Sequence, residues 1–599
     1  MSNATTTHPA LQVLIDALAA ATGLPADDVA RQLGQPPKPD MGDYAFPCFA
    51  YGKANKIAPP AAAAALADKL KADATITGLT ERIETAGAFL NIHIKPGKLN
   101  ESVIGALQRA GSAFGETAEG RGKTVVIDYS APNIAKPFHV GHLMSTIIGA
   151  SLVRIFRALG YTVVGVNHLG DWGVQCGFQF LAWQRADPVE REKQLAARGL
   201  EYLSELYVEI NTAAKSDPAL DAQARVLFKK LEDGDPELKA LWERFRRDTL
   251  SYLQKSYDRL GVKFDSDAGE GFYQPMLKPL IAELKASGVA VESEGALVIP
   301  MEDAPPQTQK EKKAEKDKKP PFILLKSDEA TIYGTRDLAA AIYRKKTYDF
   351  ARNVYVVDGR QNNHFQQLFK AISKMGLAWH KDCVHVAFGT MNIKEGDAVL
   401  AMSTRGGSMI PLSELLDRMV GVVKKIIVEK NPDLGPAKTA QAAEAVGVGA
   451  IVFWIQARRR ASNFVFEWDK ATDPSGDTGP YLQYTHARAC SILRKSDDAA
   501  ASIAKANLTL LIEPEEAAVS KALERFPKVL QQAAADYEPS LIATWLLDLS
   551  SAFSNFLNKH HVLDSAPDLK LARLALVDAV RQALAKGLGL IGVIAPTEM

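Results

Sequence analysis

The sequence predicts a multidomain α/β protein with a doubly wound parallel sheet at its centre, a small α+β unit before it and an all-α helical bundle after it. Three observations carry this. Apolar runs of strand length alternate with helical patterns twice, from Thr124 to His168 and again from Phe322 to Gly389. A mostly helical stretch and a Lys/Glu/Pro run separate these two halves. From about Pro411 onward strand signals are scarce and long amphipathic patterns take over. A length of 599 residues exceeds one ordinary core and calls for three to five domains.

The elements follow in order. Residues 1–115 read as the α+β unit, with helical spacing over Leu11–Thr22 and Pro60–Leu70 and a closing strand, AFLNIHI, at Ala88–Ile94. GETAEGRGK, Gly115–Lys123, is rich in glycine and charge and reads as a linker. TVVIDY, Thr124–Tyr129, has the length of a buried strand. From Val140 to Leu159 apolar residues recur at helical spacing, and Gly160 supplies the stop. TVVGVNH, Thr162–His168, completes a βαβ unit, whose crossover is nearly always right-handed. Helical patterns run from about Trp172 to Leu260, and ALVIP, Ala296–Pro300, reads as a strand. The run Glu302–Pro321 reads as a solvated insertion, with a basic arm for nucleic acid as the alternative. In the second half FILLK (Phe322–Lys326), NVYVVD (Asn353–Asp358) and CVHVAFG (Cys383–Gly389) read as strands, with helices at TRDLAAAIYRK and Asn363–Met375. Two such halves around an insertion make a Rossmann-like, nucleotide-binding sheet. The expected domains are 1–115, 121–410 and 411–599.

Apolar content of 47% and charged content of 24% suit a soluble globular chain. No apolar run reaches about 18 residues, so no membrane span is expected, and no secretory leader is evident. Cys48, Cys176, Cys383 and Cys490 lie far apart with no CxxC, which argues against structural zinc and a disulfide framework and suits a reducing cytoplasm. The net charge of +1 neither supports nor excludes a polyanion partner.

SAPNIAKPFHVGHLMS, Ser130–Ser145, sets His139 and His142 three residues apart between a buried strand and a helix. At a helix N-terminus, free backbone N–H groups and the dipole favour an anion. Gly141 lets a flat ligand approach, two imidazoles can donate to phosphate oxygens, and Lys136 adds positive charge. A metal pair is a competing reading without an obvious third ligand, and a capping or core histidine is another.

With NHLGDWGVQCG downstream, this segment resembles the first signature of class I aminoacyl-tRNA synthetases, in the form found in arginyl-tRNA synthetases. MGDYAFP and AGAFLNIHI resemble that family's N-terminal D-loop-binding domain. DAGEGFY, IYGTRDLAAA and VVDGRQNNHFQQLF match its arginine-pocket segments. TGPYLQYTHAR, Asp578–Arg581 and the ending LGLIGVIAPTEM resemble its α-helical anticodon-binding domain. The resemblance covers nearly the whole chain. It implies an arginine–tRNA ligase that forms arginyl-adenylate from L-arginine and ATP with Mg2+, then transfers it to tRNA-Arg. A monomer is expected.

The resemblance implies roles for residues here. Lys136, His139 and His142 are the catalytic set, and Gly141, Asp358, Met402, Ser403 and Arg405 join the histidines in holding ATP. The second signature is degenerate: AMSTRGGS has Ala401 and Thr404 where lysines are often found. Members that lack the second lysine use the one upstream of the histidines, here Lys136. Met144 and Ala150 depart from the arginine and acidic residue expected, and should affect packing or tRNA contact. A non-catalytic RNA-binding paralogue is the alternative that AMSTRGGS raises; a relative charging cysteine would show zinc-ligand clusters.

Arginine's planar cation calls for carboxylates in fork geometry. The resemblance assigns Asp337, Glu270 and Tyr333 to the guanidinium, and Asn133 and Gln361 to the α-amino end. The competing readings are a helix N-terminal carboxylate or an Asp337–Arg336 ion pair, a solvated Glu270, a core Tyr333 and a capping Gln361. For tRNA, Phe89 and Asn91 resemble an aromatic–amide pair that reads a flipped D-loop base, against a core phenylalanine. Tyr481, Gln483, Tyr484 and Arg488 are candidates for the anticodon arm, against helix packing. ARRRAS, Ala457–Ser462, reads more readily as a solvated helix face than as a phosphate contact.

Overall fold

The computed structural model describes residues 8–136, 138–301, 320–327, 331–400 and 410–599. Most of the Lys/Glu/Pro run and the whole AMSTRGGS loop, with Met402, Ser403 and Arg405, lie outside the described residues.

The N-terminal unit is an antiparallel sheet of β1 (Tyr44–Pro47), β2 (Thr80–Ala86) and β3 (Phe89–Ile94), in the order β1-β3-β2. Helices Pro9–Thr22, Pro59–Lys71 and Pro96–Ala110 accompany it. Along the chain then come β4 (Thr124–Asp128), β5 (Thr162–Val166), β6 (Val291–Ser293), β7 (Ala296–Ile299), β8 (Phe322–Leu325), β9 (Arg352–Asp358) and β10 (Cys383–Phe388). The central sheet is fully parallel, in the order β10-β9-β4-β5. Val125, Val126, Ile127, Val354 and Val356 are buried in its two middle strands, as expected of a parallel sheet covered on both faces. The chain leaves β4 toward β5 on one side and β9 toward β10 on the other. The crevice beyond the carboxyl ends of β4 and β9 is therefore the topological switch point.

FILLK does not join this sheet. β8 pairs antiparallel with β7 in a separate three-stranded sheet, β6-β7-β8. A four-residue apolar run specifies a strand but not its partner. The strand TVVGVNH also ends early, at Val166, which leaves Asn167 and His168 free to leave the ladder.

Helix Val140–Ala158 lies against the sheet, and the Ser145 hydroxyl donates to the Val356 carbonyl at 2.6 Å. Met144 and Ala150 are buried on it, in agreement with the packing alternative. The insertion between the halves includes five helices: Val174–Arg185, Pro188–Arg198, Leu200–Ala214, Pro218–Glu232 and Pro236–Leu260. Three of them begin with an aspartate N-cap before proline, at Asp187, Asp217 and Asp235, each accepting backbone N–H bonds of the first turn.

Beyond residue 410 the chain is mainly helical. The exception is β13 (Phe464–Phe466), which pairs parallel with β11 (Met391–Glu395); β11 also pairs with β12 (Ala398–Leu400). The N-terminal unit docks directly on the C-terminal bundle. Asn100 Nδ2 donates to the Leu511 carbonyl at 2.7 Å, and the Phe114 and Phe526 rings stack at 5.5 Å.

Gly149 lets the first helix close on the sheet: a Cβ there would stand 2.3 Å from the Tyr129 Cβ. Gly149→Ala is expected to destabilise the protein by ~1–3 kcal/mol through overpacking, read as a lowered midpoint in thermal unfolding.

Candidate active site

The loop after β4 is strained. Ser130 (φ 72°), Ala131 (φ 49°) and Ala135 (φ 49°) are left-handed although none is glycine, the kind of strain that concentrates at functional sites. Side chains hold the loop's donors. Ser130 N–H bonds Ser145 Oγ at 2.9 Å, Ala131 N–H bonds Asn167 Oδ1 at 3.2 Å, and Ala135 N–H bonds Thr249 Oγ1 at 3.1 Å.

His139 is the N-cap of the helix and His142 its third residue, and together they form a capping box. Gly141 N–H donates to His139 Nδ1 at 3.0 Å, and His139 N–H donates to His142 Nδ1 at 3.3 Å. Each Nδ1 is thus an acceptor, so a neutral ring carries its proton on Nε2. The expectation of free backbone N–H groups is corrected in part: the imidazoles take up the His139 and Gly141 N–H groups themselves. The neutral rings add two Nε2–H donors to what the helix start offers a ligand. A metal at Nε2 would need the proton moved to Nδ1, where a backbone N–H already points, which argues against the metal-pair reading.

Burial is the main reason both histidines are neutral. It pulls His139 down to about 4, with Lys136 adding to the effect. His142 is held well below the ordinary imidazole value by burial, by His139 and by Lys136. The two rings lie 3.9 Å apart, and Phe138 stacks on His142 at 5.4 Å. A Cβ at residue 141 would come within 2.8 Å of the His139 ring, so glycine is what permits this pair. The Lys136 ammonium stands over the Tyr207 ring, 4.7 Å from its centroid.

A second cluster gathers around Asp337. His364 Nε2 bonds Asp337 Oδ2 at 2.7 Å, and His168 Nε2 stands 3.6 Å from Oδ1, longer than a hydrogen bond. Burial opposes ionisation of Asp337, but the two histidines outweigh it and hold the carboxyl well below its usual range. Burial pushes Glu270 up to about 7, against the opposing charge of Arg336. Arg336 Nη1 lies 3.7 Å from Glu270 Oε2, so the ion pair envisaged with Asp337 is made with Glu270 instead. Behind the cluster Arg344 pairs with Asp128 at 2.8 Å.

The stretch His168–Trp172 joins the two clusters. Ile134 N–H bonds the Gly170 carbonyl at 3.2 Å, and Gly170 N–H bonds the Pro132 carbonyl at 3.0 Å. On the other side Glu270 N–H bonds the Leu169 carbonyl at 3.0 Å, and Gly271 N–H bonds Asp171 Oδ1 at 2.8 Å.

The remaining expected residues fall as follows. Asn133 lies in the strained loop with Gln175 Nε2 3.5 Å from its Oδ1. Tyr333 opens helix Tyr333–Tyr348 and is 56% exposed, which removes the core reading; its ring lies 4.9 Å from that of His364. Gln361 occupies the N-cap of helix Asn362–Lys374 but makes no side-chain cap bond, so the capping reading is corrected. Asp358 ends β9 and is engaged by Arg360, whose backbone and guanidinium donate to it at 2.7–2.9 Å. Phe89 is 42% exposed with its ring edge-on to Phe49, so it is not core. Asn91, on the same strand face, is buried and does not present its amide at the surface.

Gln483 is a correction. It is fully buried, and its Nε2 donates to the Ala445 and Ile594 carbonyls at 3.0 and 2.8 Å, so it ties its helix to helix Pro436–Gln456 and to the segment after the last helix rather than facing a partner. Tyr481 hydrogen-bonds Ser554 at 3.3 Å, Tyr484 is exposed and Arg488 half-buried. The ARRRAS run is largely structural. Arg458 stacks on Trp454 at 3.7 Å, and Arg460 donates to the Ala387 and Tyr537 carbonyls. Sequence reasoning missed His168, Asp171, Arg336 and His364 as site-forming residues. All four sit inside the quoted motifs, but spacing along the chain does not say which carboxylate each one meets.

Over residues 104–468 the chain matches the family described as "tRNA synthetases class I (R), catalytic domain", over 482–599 "DALR anticodon binding domain", and over 10–94 "Arginyl tRNA synthetase N terminal domain". A Clostridium botulinum protein named arginine–tRNA ligase is 41% identical over 571 residues, 95% of this chain and 96% of that one. A protein of the same name from Alkaliphilus metalliredigens is 40% identical over 578 residues, 96% and 97% of the two chains. The solved arginyl-tRNA synthetase of Thermus thermophilus is 25% identical with a TM-score of 0.77, over 98% of this chain and 99% of that one. That of Plasmodium falciparum is 21% identical with a TM-score of 0.76, over 99% and 100%, and shares the fold.

With His139 near 4 and His142 held well below the ordinary imidazole value by burial, neither ring should titrate between pH 8 and pH 6. Carbon-13 labelled histidine spectra are expected to show both fixed as the Nε2–H tautomer across that range.

Proposed function

The chain belongs to the arginyl-tRNA synthetase family and is an ATP-dependent arginine–tRNA ligase, and we propose the following division of labour among its residues. The observation that carries it is the stretch His168–Trp172, bonded to the histidine loop on one side and to the Glu270 turn on the other, with His168 against Asp337. Such a bridge supports one composite site that holds an amino acid and a nucleotide end to end.

In this reading the carboxylate of L-arginine attacks the α-phosphorus of ATP and pyrophosphate leaves. The terminal adenosine hydroxyl of tRNA-Arg then attacks the activated carbonyl and releases AMP. His139 and His142 donate Nε2–H to the α-phosphate oxygens as charge accumulates there. Because both rings are neutral, they act as fixed dipoles in a site already arranged for the transition state. Gly141 leaves room for adenine, with Asp358, Met402, Ser403 and Arg405 as further ATP contacts. Lys136 supplies the cation for the leaving phosphates. Magnesium arriving with ATP would supply divalent charge at the same place. No structural zinc enters the reading.

Asp337, Glu270 and Tyr333 receive the guanidinium, and Asn133 and Gln361 the α-amino end. Asp337 is kept ionised by His168 and His364, so it meets the substrate already charged. Glu270 divides its charge between Arg336 and the incoming cation. Lysine cannot satisfy two planar acceptors, and the carboxylates it leaves unpaired make discrimination large without editing. Phe89, with Phe49 beside it, offers an exposed aromatic edge to the D-loop, and Tyr484 and Arg488 remain candidates for the anticodon arm. The reading also includes a monomer in the cytoplasm. The four buried free thiols suit a reducing compartment, and light scattering with and without tRNA checks the monomer. Among the described residues no single helix is long and apolar enough to cross a membrane.

ATP–pyrophosphate exchange, run with each amino acid with and without tRNA, is expected with arginine alone and only when tRNA is present. Exchange with cysteine instead, or none under any condition, would refute the reading. Asp337→Ala is expected to lower kcat/KM for arginine about a hundredfold or more, since it removes one partner of a buried charge pair. A carboxylate that titrates near 7 is ionised above that pH and neutral below it. The KM for arginine should therefore rise as pH falls from 8 to 6, approaching about tenfold per unit, and this limb should be absent in Glu270→Gln.

A further inference from the structure

Three consecutive residues of the strained loop are each contacted by a different helix of the insertion. The Ile134 carbonyl accepts from Gln179 Nε2 at 2.8 Å, on helix Val174–Arg185. The Ala135 N–H bonds the fully buried Thr249 hydroxyl at 3.1 Å, on helix Pro236–Leu260. The Lys136 ammonium stands 4.7 Å from the centroid of the Tyr207 ring, on helix Leu200–Ala214. Among the described residues no carboxylate lies within ion-pair distance of Lys136, so the ring is its partner.

We propose that Tyr207 is a positioning residue for Lys136: its ring seats the ammonium in the ligand-free enzyme and so presets where this cation stands when ATP binds. The inference rests on the reading of Lys136 as the cation for the leaving phosphates. An ammonium on a flexible four-carbon stem has many placements, and a ring face held by a separate helix selects one of them. The attraction is electrostatic, from the quadrupole of the ring, and needs no hydrogen bond. A lysine already directed costs less to order in the transition state, which appears in kcat rather than in the binding of arginine. The Ala135 bond to Thr249 serves the same end by fixing the backbone from which the lysine departs. The insertion thereby takes part in catalysis through a side chain that touches no substrate.

Pyrophosphate exchange with arginine, ATP and tRNA-Arg on the full chain tests this. Tyr207→Leu is expected to lower kcat about fivefold while KM for arginine stays within about twofold. Tyr207→Phe, which keeps the ring face, should retain most of kcat. In a Lys136→Ala background Tyr207→Leu should cost nothing further, because the two side chains act as one unit. A loss as large in that background as in the native chain, or as large for phenylalanine as for leucine, overturns the proposal. A native rate in Tyr207→Leu beside an impaired Lys136→Ala overturns the role of Tyr207 alone. A native rate in Lys136→Ala overturns the reading of the lysine beneath it.

Discussion

The site depends on one buried carboxylate. Asp171 is 1% exposed and sits where three parts of the catalytic region meet. Its Oδ1 accepts the Gly271 N–H at 2.8 Å, its Oδ2 accepts from Arg246 Nε at 3.1 Å, and its own carbonyl accepts from Trp242 Nε1 at 2.6 Å. Burial drives its pKa up, against the Gly271 N–H and the Arg246 charge. A buried ion is tolerable only when its lone pairs are satisfied, and here they are satisfied by the elements that must stay together. Gly271 follows Glu270, Arg246 and Trp242 lie on the long insertion helix, and Gly170 next door bonds the histidine loop.

Around this hub charge is kept in prearranged pairs. Asp128 has Arg344, Glu270 has Arg336, and Asp337 has two histidines. His139 and His142, by contrast, are neutral and use their Nδ1 atoms on the backbone. A phosphate entering such a place meets aligned dipoles, while a guanidinium meets negative charge. In the proposed reading these two environments receive the two substrates of opposite sign.

The domains around the sheet support this crevice unevenly. The insertion helices bear directly on the histidine loop through Gln179, Thr249 and Tyr207. The C-terminal bundle touches the first catalytic helix from behind: Gln456 Nε2 donates to the Ile147 carbonyl at 3.0 Å. The N-terminal unit meets the bundle through Asn100 and Phe114 and leaves Phe49 and Phe89 exposed.

Much of the fold was legible along the chain because it is local. Strand length, helical periodicity and the glycine after Leu159 are properties of neighbouring residues, and the strands and helices that were expected formed within about three residues of their expected bounds. The place of the histidine pair at a helix start was legible for the same reason, whereas its capping role was only the competing reading. What the sequence could not decide was pairing at a distance. FILLK went to another sheet, Arg336 met Glu270 and not Asp337, Gln483 turned inward between helices, and Asp171 became a hub. Each outcome depends on which groups are brought together after the backbone closes. A carboxylate or an amide carries no mark of its partner until burial removes water as the alternative, and only the tertiary structure decides where that happens.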